Sequence, residues 1–135
     1  MTLGPATALL QVFDMNAALA FYRALGFTVA ERSPAVEDGG ERYSHWCRLS
    51  RDDATLMLNT AYDSIADRPA GIAPERYAAH GDTCLYIDCG DADALHAEFA
   101  AAGMACAAPN DTPYGMRQLY VPDPDGYLLC FQHPI

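Results

Sequence analysis

Two stretches of this chain, 77 positions apart, open on an aspartate and close on a glycine: Asp14 to Gly26 and Asp91 to Gly103. An aspartate side chain can accept from the unpaired backbone N–H groups at a helix start. A glycine readily takes the left-handed conformation in which many helices end. Inside the first interval Leu19, Tyr22 and Leu25 can share one face, which predicts an amphipathic helix capped by Asp14 or Asn16. Ala20 and Ala24 recur as Ala97 and Ala101, cheap matches in so alanine-rich a chain. The paired Asp-to-Gly intervals carry the inference of an internal duplication.

The flanking segments repeat as well. In the first half "TALLQVF" reads as a strand, "FTVAER" as a second, and "RYSHWCRL" with "ATLMLNT" as a hairpin around "SRDD"; "SPAVEDGGE" reads as polar and flexible. In the second half "TCLYIDC", "MACAA", "RQLYV" and "YLLCFQ" take the corresponding places, the last two joined by "PDPDG". "DPDG" lacks the further spaced oxygen ligands of a calcium loop, so it reads as turn chemistry. The expected fold class is α+β, with two βαβββ units forming a curved mixed sheet, a concave groove inside and helices on the outer face. A single domain, 1–135, holds unit 1 at about 5–60, a linker at about 61–80 and unit 2 at about 81–133. Pro69, Gly71 and Pro74 argue against a long helix in the linker. One helix covers only one face of a small sheet, and the face left open is where a ligand binds.

Composition narrows the function classes. A formal net charge of -10 disfavours nucleic acid and anionic membrane, because phosphate would be repelled at long range. Five cysteines, with no C-x-x-C spacing and an odd count, suit free thiols in a reducing cytoplasm. The first residues have no basic segment followed by a long apolar run, and no apolar run approaches a membrane span.

"VFDMNAALAFYRALGF", followed much later by "YVPDPDGYLLCF", resembles the vicinal oxygen chelate superfamily, which includes glyoxalases, extradiol dioxygenases and bleomycin resistance proteins. The resemblance covers nearly the whole chain. Its metal-dependent members place a His or Gln on the first strand of a unit and a Glu on the last. Those positions map to Thr7 and Leu58 in unit 1 and to Cys84 and Cys130 in unit 2. None is His, Gln or Glu, and Gln11 falls too close to the helix. Thr and Leu are poor ligands for a divalent ion. The resemblance therefore implies the bleomycin-resistance type: a metal-independent protein without cofactor that binds or sequesters a small aromatic or cationic molecule, as a homodimer. The alternative is a glyoxalase- or dioxygenase-type lyase or isomerase with an atypical metal or a cysteine-based site.

The binding candidates follow. Tyr114 falls where bleomycin resistance proteins carry an aromatic contact, and Arg117 beside it would read a carboxylate or oppose a cation, if it faces the groove. Trp46 and Arg48 share one strand face, opposite His45, and would stack on a planar ligand and grip an anionic group. Cys84 and Cys130 would suit a soft partner, against the plainer reading of buried packing; Leu58 and Thr7 complete the set. Glu37, Asp38, Glu41, Asp63 and Asp67 would give an acidic rim. His80, His96 and His133 have no motif spacing, and His96 is expected to face solvent from its helix.

Overall fold

The computed structural model describes residues 1–135 and contains three α-helices, α1 (Met15–Ala24), α2 (Pro74–His80) and α3 (Ala92–Ala101). The duplicated caps work as their chemistry dictates. Asp14 is extended and its carboxylate accepts from the backbone N–H of Ala17, while Asp91 accepts from those of Asp93 and Ala94. At the other ends Gly26 and Gly103 stand at φ +85° and +86°. The next residue then folds back, Phe27 N–H donating to Tyr22 and Met104 N–H donating to Phe99. These bonds satisfy carbonyls that a helix end would otherwise leave orphaned.

The chain divides into two compact units, Met1–Gly71 and Ile72–Ile135. The first contains β1 (Leu9–Val12), β2 (Thr28–Arg32), β3 (Val36–Asp38), β4 (Glu41–Tyr43), β5 (Trp46–Arg51) and β6 (Ala54–Thr60). Its main sheet runs in the order β1-β6-β5-β2, with β1 parallel to β6 and the other pairs antiparallel. The second contains β7 (Cys84–Asp88), β8 (Asn110–Asp111), β9 (Met116–Pro122) and β10 (Leu128–Pro134), in the order β7-β10-β9-β8. There β7 is parallel to β10, so both units have the same mixed βαβββ sheet and the expected α+β class holds.

Strand alternation gives each sheet one helix-covered face. In unit 1 Leu10, Val12, Cys47, Leu49, Leu56 and Leu58 are buried together with Met15, Ala18, Leu19 and Tyr22 of α1. In unit 2 Leu119, Val121, Leu129 and Phe131 are buried with Ala92 and Phe99 of α3, and the Phe99 and Phe131 rings meet edge to face at 5.3 Å. Burying a side chain of this size contributes about 1.5–3 kcal/mol. Tyr22 and Phe99, again 77 positions apart, are both fully buried, so the repeat extends into the core.

Three segments differ from the sequence reading. "SPAVEDGGE" holds the β3–β4 hairpin, turned by Gly39 and Gly40, both at positive φ, as a two-residue hairpin turn of this hand requires. "MACAA" makes no strand; its small side chains offer little to a sheet face, and the ladder resumes only at Asn110. The linker is structured at both ends. Its first part holds a 3-10 turn, Ile65–Asp67, whose opening N–H donates to Asp38 at 2.7 Å. Arg68 then pairs with Glu41 at 3.2 Å and with Asp14 at 3.5 Å, and lies over the Tyr62 ring. The second part is α2, whose His80 stacks on Tyr127 at 4.0 Å and meets the Asp125 carbonyl at 2.6 Å.

The "DPDG" turn is built from its own side chains. The Asp123 carboxylate accepts from the N–H groups of Asp125 and Tyr127, each at 2.9 Å, and Gly126 takes φ +90°. Of the expected acidic rim, Glu37 pairs with Arg42, Asp38 and Glu41 hold the linker, and Asp67 accepts from Ser64. His96 is half-buried rather than solvent-facing, with its Nε2 at 3.1 Å from the Cys106 carbonyl.

Candidate ligand-binding site

The face of each sheet turned away from its helix is the candidate surface, and register fixes what it carries. In unit 2 Tyr86 lies beside Cys130, which lies beside Tyr120; one row along, Asp88 lies beside Gln132 and Gln132 beside Gln118. Tyr86 is 56% exposed and Tyr120 39%. Tyr114 joins this group from the β8–β9 turn, 68% exposed. Gly115 at φ +85° and the Thr112 hydroxyl, which accepts from Met116 N–H at 3.0 Å, shape that turn.

A hydrogen-bonded chain ties these side chains together, with Gln118 at its centre, only 4% exposed. Tyr120 donates to Gln118 Oε1 at 3.1 Å, and Gln118 Nε2 donates to Gln132 Oε1 at 3.0 Å and to the Tyr114 hydroxyl at 3.2 Å. The Tyr86 and Tyr120 hydroxyls are 3.5 Å apart. The Tyr86 hydroxyl, then burial, then the neighbouring Cys130 thiol push the Tyr120 phenol well above its usual range, so it stays protonated. The surface is three phenols on an amide scaffold.

The matching rows of unit 1 are chemically different. Leu9 lies beside Met57, Met57 beside Arg48 and Arg48 beside Glu31; one row along come Gln11, Asn59 and Trp46. Trp46 and Arg48 thus do share the open face, both half-buried, and Arg48 pairs with Glu31 at 3.6 Å. His45 stands just before β5, with Nδ1 at 2.6 Å from the Thr60 hydroxyl.

Two candidates fall elsewhere. Leu58 is fully buried in the helix-covered core beside Cys47 and Leu10; alternation puts Met57, one residue earlier, on the open face. Arg117 alternates with Gln118 and reaches the other way, where it grips Asp93 at 2.7 and 2.8 Å and Asp111 at 2.7 Å. That guanidinium holds the Asp93 carboxyl below its usual range, and the same pairs hold Arg117 protonated. Thr7 precedes β1, half-buried and in line with Leu9. Cys84 and Cys130 share the open face of unit 2 as diagonal neighbours, Cys130 fully buried under its surroundings. Burial raises both thiols, which opposes thiolate chemistry. Sequence reasoning passed over Gln118, Tyr86 and Tyr120; strict alternation along "RQLYV" and "CLYID" places them on one face.

The superfamily's catalytic metal does not fit this donor set. In one row of the open faces the first and last strands hold Leu9 and Met57 in one unit and Tyr86 and Cys130 in the other; one row along they hold Gln11 and Asn59, and Asp88 and Gln132. No three His, Cys, Asp or Glu side chains converge anywhere in the structure. Asp88 is then the one carboxylate on these strands' open faces, with no imidazole beside it, too few donors to hold a hard divalent ion.

A duplicated βαβββ chain whose two sheets each keep one face free of their helix defines a class before any comparison is made. The sequence matches the family described as "Glyoxalase/Bleomycin resistance protein/Dioxygenase superfamily" over residues 4–131, and the chain belongs to it. Similar solved structures include a bleomycin resistance determinant encoded on the transposon Tn5, with 21% identity, 98% of each chain covered and a TM-score of 0.71. A bleomycin-binding protein complexed with bleomycin aligns at 20% identity over 98% of this chain and 100% of its own, with a TM-score of 0.71. TnmS3, an antibiotic binding protein from Streptomyces sp. CB03234, aligns at 25% identity over the whole of both chains, with a TM-score of 0.63. No curated protein matches the sequence.

Proposed function

We propose that this chain binds and sequesters a small aromatic molecule without a metal or other cofactor. The observation that carries the reading is the set of exposed phenols, Tyr86, Tyr114 and Tyr120, gathered on one sheet face. Phenol rings supply large, stiff contact area with a polar handle, which is how planar ligands are held. Similar proteins described as binding bleomycin or an antibiotic support the same direction. Trp46, Arg48, Met57 and Thr7 are the corresponding candidates in unit 1, and Cys84 and Cys130 form the floor in unit 2. Arg117, engaged by two carboxylates, does not oppose a cationic ligand. The lyase or isomerase alternative would need a reactive thiol, and burial works against it.

The two units act together as one domain, residues 1–135, in a homodimer whose subunits cover sheet edges and faces that each chain leaves open. Five free cysteines fit a reducing cytoplasm, and no helix is long and apolar enough to cross a membrane. Titration of a panel of planar aromatic compounds, followed by intrinsic tyrosine and tryptophan fluorescence, tests the binding reading. Saturable binding that weakens at least about tenfold in a Tyr86→Ala, Tyr120→Ala double variant supports it. Silence across the panel would refute it. Sedimentation at micromolar concentration tests the dimer, and a monomer throughout would refute that part.

A further inference from the structure

The direction of each hydrogen bond on the unit 2 face says which ligand chemistry it suits. Gln118 is buried and its amide is fully engaged: both Nε2 hydrogens are donated, to Gln132 Oε1 at 3.0 Å and to the Tyr114 oxygen at 3.2 Å, while Oε1 takes the Tyr120 proton at 3.1 Å. Tyr114 also has a possible donation back to Gln118 Oε1, at 3.4 Å. That is longer than a good O–H···O bond, whereas 3.2 Å is within the N–H···O range. Tyr114 therefore accepts from Gln118, and its own hydroxyl hydrogen is left pointing away from the scaffold. Accepting a bond also polarises that hydroxyl and makes it a better donor. Tyr86 differs: because Tyr120 gives its proton to Gln118, Tyr86 is the donor in the loose 3.5 Å contact between their hydroxyls.

The face carries no cation, since Arg117 lies on the opposite side held by Asp93 and Asp111. Its single formal charge is Asp88, at the end of β7. What it presents outward is one neutral O–H donor, that of Tyr114, among aromatic rings.

We propose that Gln118 is a positioning residue that fixes Tyr114 as a hydrogen-bond donor, so that the unit 2 face selects uncharged planar molecules with a carbonyl-type acceptor on their edge. This narrows the aromatic-binding reading and rests on it. The complementary group on the ligand is a ring ketone, quinone or amide oxygen, and a cationic ring system has no partner at this hydroxyl.

Three probes of nearly one shape separate the possibilities by equilibrium dialysis: 9-fluorenone, its hydrocarbon counterpart fluorene, and the cation N-methylacridinium. The expected result is fluorenone bound about tenfold more tightly than fluorene, the effect of one well-made hydrogen bond. In Tyr114→Phe, which removes an exposed hydroxyl and leaves the packing intact, that ratio falls toward one while fluorene affinity stays the same. In Gln118→Glu the side chain can only accept, so Tyr114 turns its proton inward and the ratio falls again; Tyr114→Phe carries the test if this buried substitution does not fold. Equal binding of fluorenone and fluorene, a ratio unchanged in Tyr114→Phe, or tightest binding of the acridinium would overturn this inference and leave aromatic binding standing. Failure of all three probes to bind would overturn both.

Discussion

Gly126 and Gly103 offer a controlled measure of how firmly α2 is seated on unit 2. Both have positive φ, +90° and +86°, and both lie in the same unit. A Cβ added at Gly103 meets open space, whereas one added at Gly126 would overlap the backbone carbonyl of Tyr77 in α2. Gly103→Ala therefore carries only the cost of a left-handed alanine, about 1–2 kcal/mol. Gly126→Ala carries that cost and must also push α2 off the turn. The displacement loosens the His80 bond to the Asp125 carbonyl and the His80–Tyr127 stack. A hydrogen bond contributes about 1 kcal/mol and an aromatic stack about 0.5–1.5 kcal/mol. The sum is about 3–4 kcal/mol, some 2 kcal/mol more than at Gly103. At an m-value of about 2 kcal/mol/M the two urea midpoints would differ by about 1 M. Equal midpoint shifts would show that α2 is not held by this turn, and the packing argument would fall.

Other expectations are quickly tested. Leu58→Ala empties a fully buried site and should cost about 2–5 kcal/mol in urea unfolding, while Met57→Ala should cost well under that and instead weaken ligand binding; the opposite ranking would reverse the register argument. The Asp93 carboxyl is held low by Arg117, so its stabilising contribution is full above the ordinary aspartate pKa and disappears as pH falls through the depressed value. Thermal midpoints of the parent and Asp93→Asn should therefore converge at acid pH and differ near neutrality; a constant gap would contradict the linkage. In the native protein Cys47 and Cys130, fully buried and with thiols raised first by burial, should resist iodoacetamide, and all five cysteines should react in denaturant.

The caps and the core repeat were legible because each depends on one residue type at a fixed place: Asp14 and Asp91 for free N–H groups, Gly26 and Gly103 for positive φ. The Gly39–Gly40 hairpin also had its signal in the chain, but polar surroundings hid it. Leu58 was misplaced because "LMLN" is an apolar run, in which alternation cannot tell the covered face from the open one; pairing with Leu10 and Cys47 settles it. Arg117 and Gln118 stand side by side in sequence and point to opposite faces. Arg117 drew notice for its charge, yet its guanidinium braces α3 and β8, and the neutral neighbour organises the phenols. Alternation alone separates them once the strand is known, but the strength of a buried amide hub depends on partners from β9, β10 and a turn.

The duplicated halves agree at the aspartate and glycine ends of their helices and disagree along the whole outward row. Leu9, Met57 and Arg48 stand in one where Tyr86, Cys130 and Tyr120 stand in the other. The residues that set the backbone and those that line the open faces are thus separate letters of the same strands. Such a scaffold can be re-specified one half at a time: exchanging a row rewrites the chemistry of an open face while the architecture continues to be spelled by its caps and its buried side.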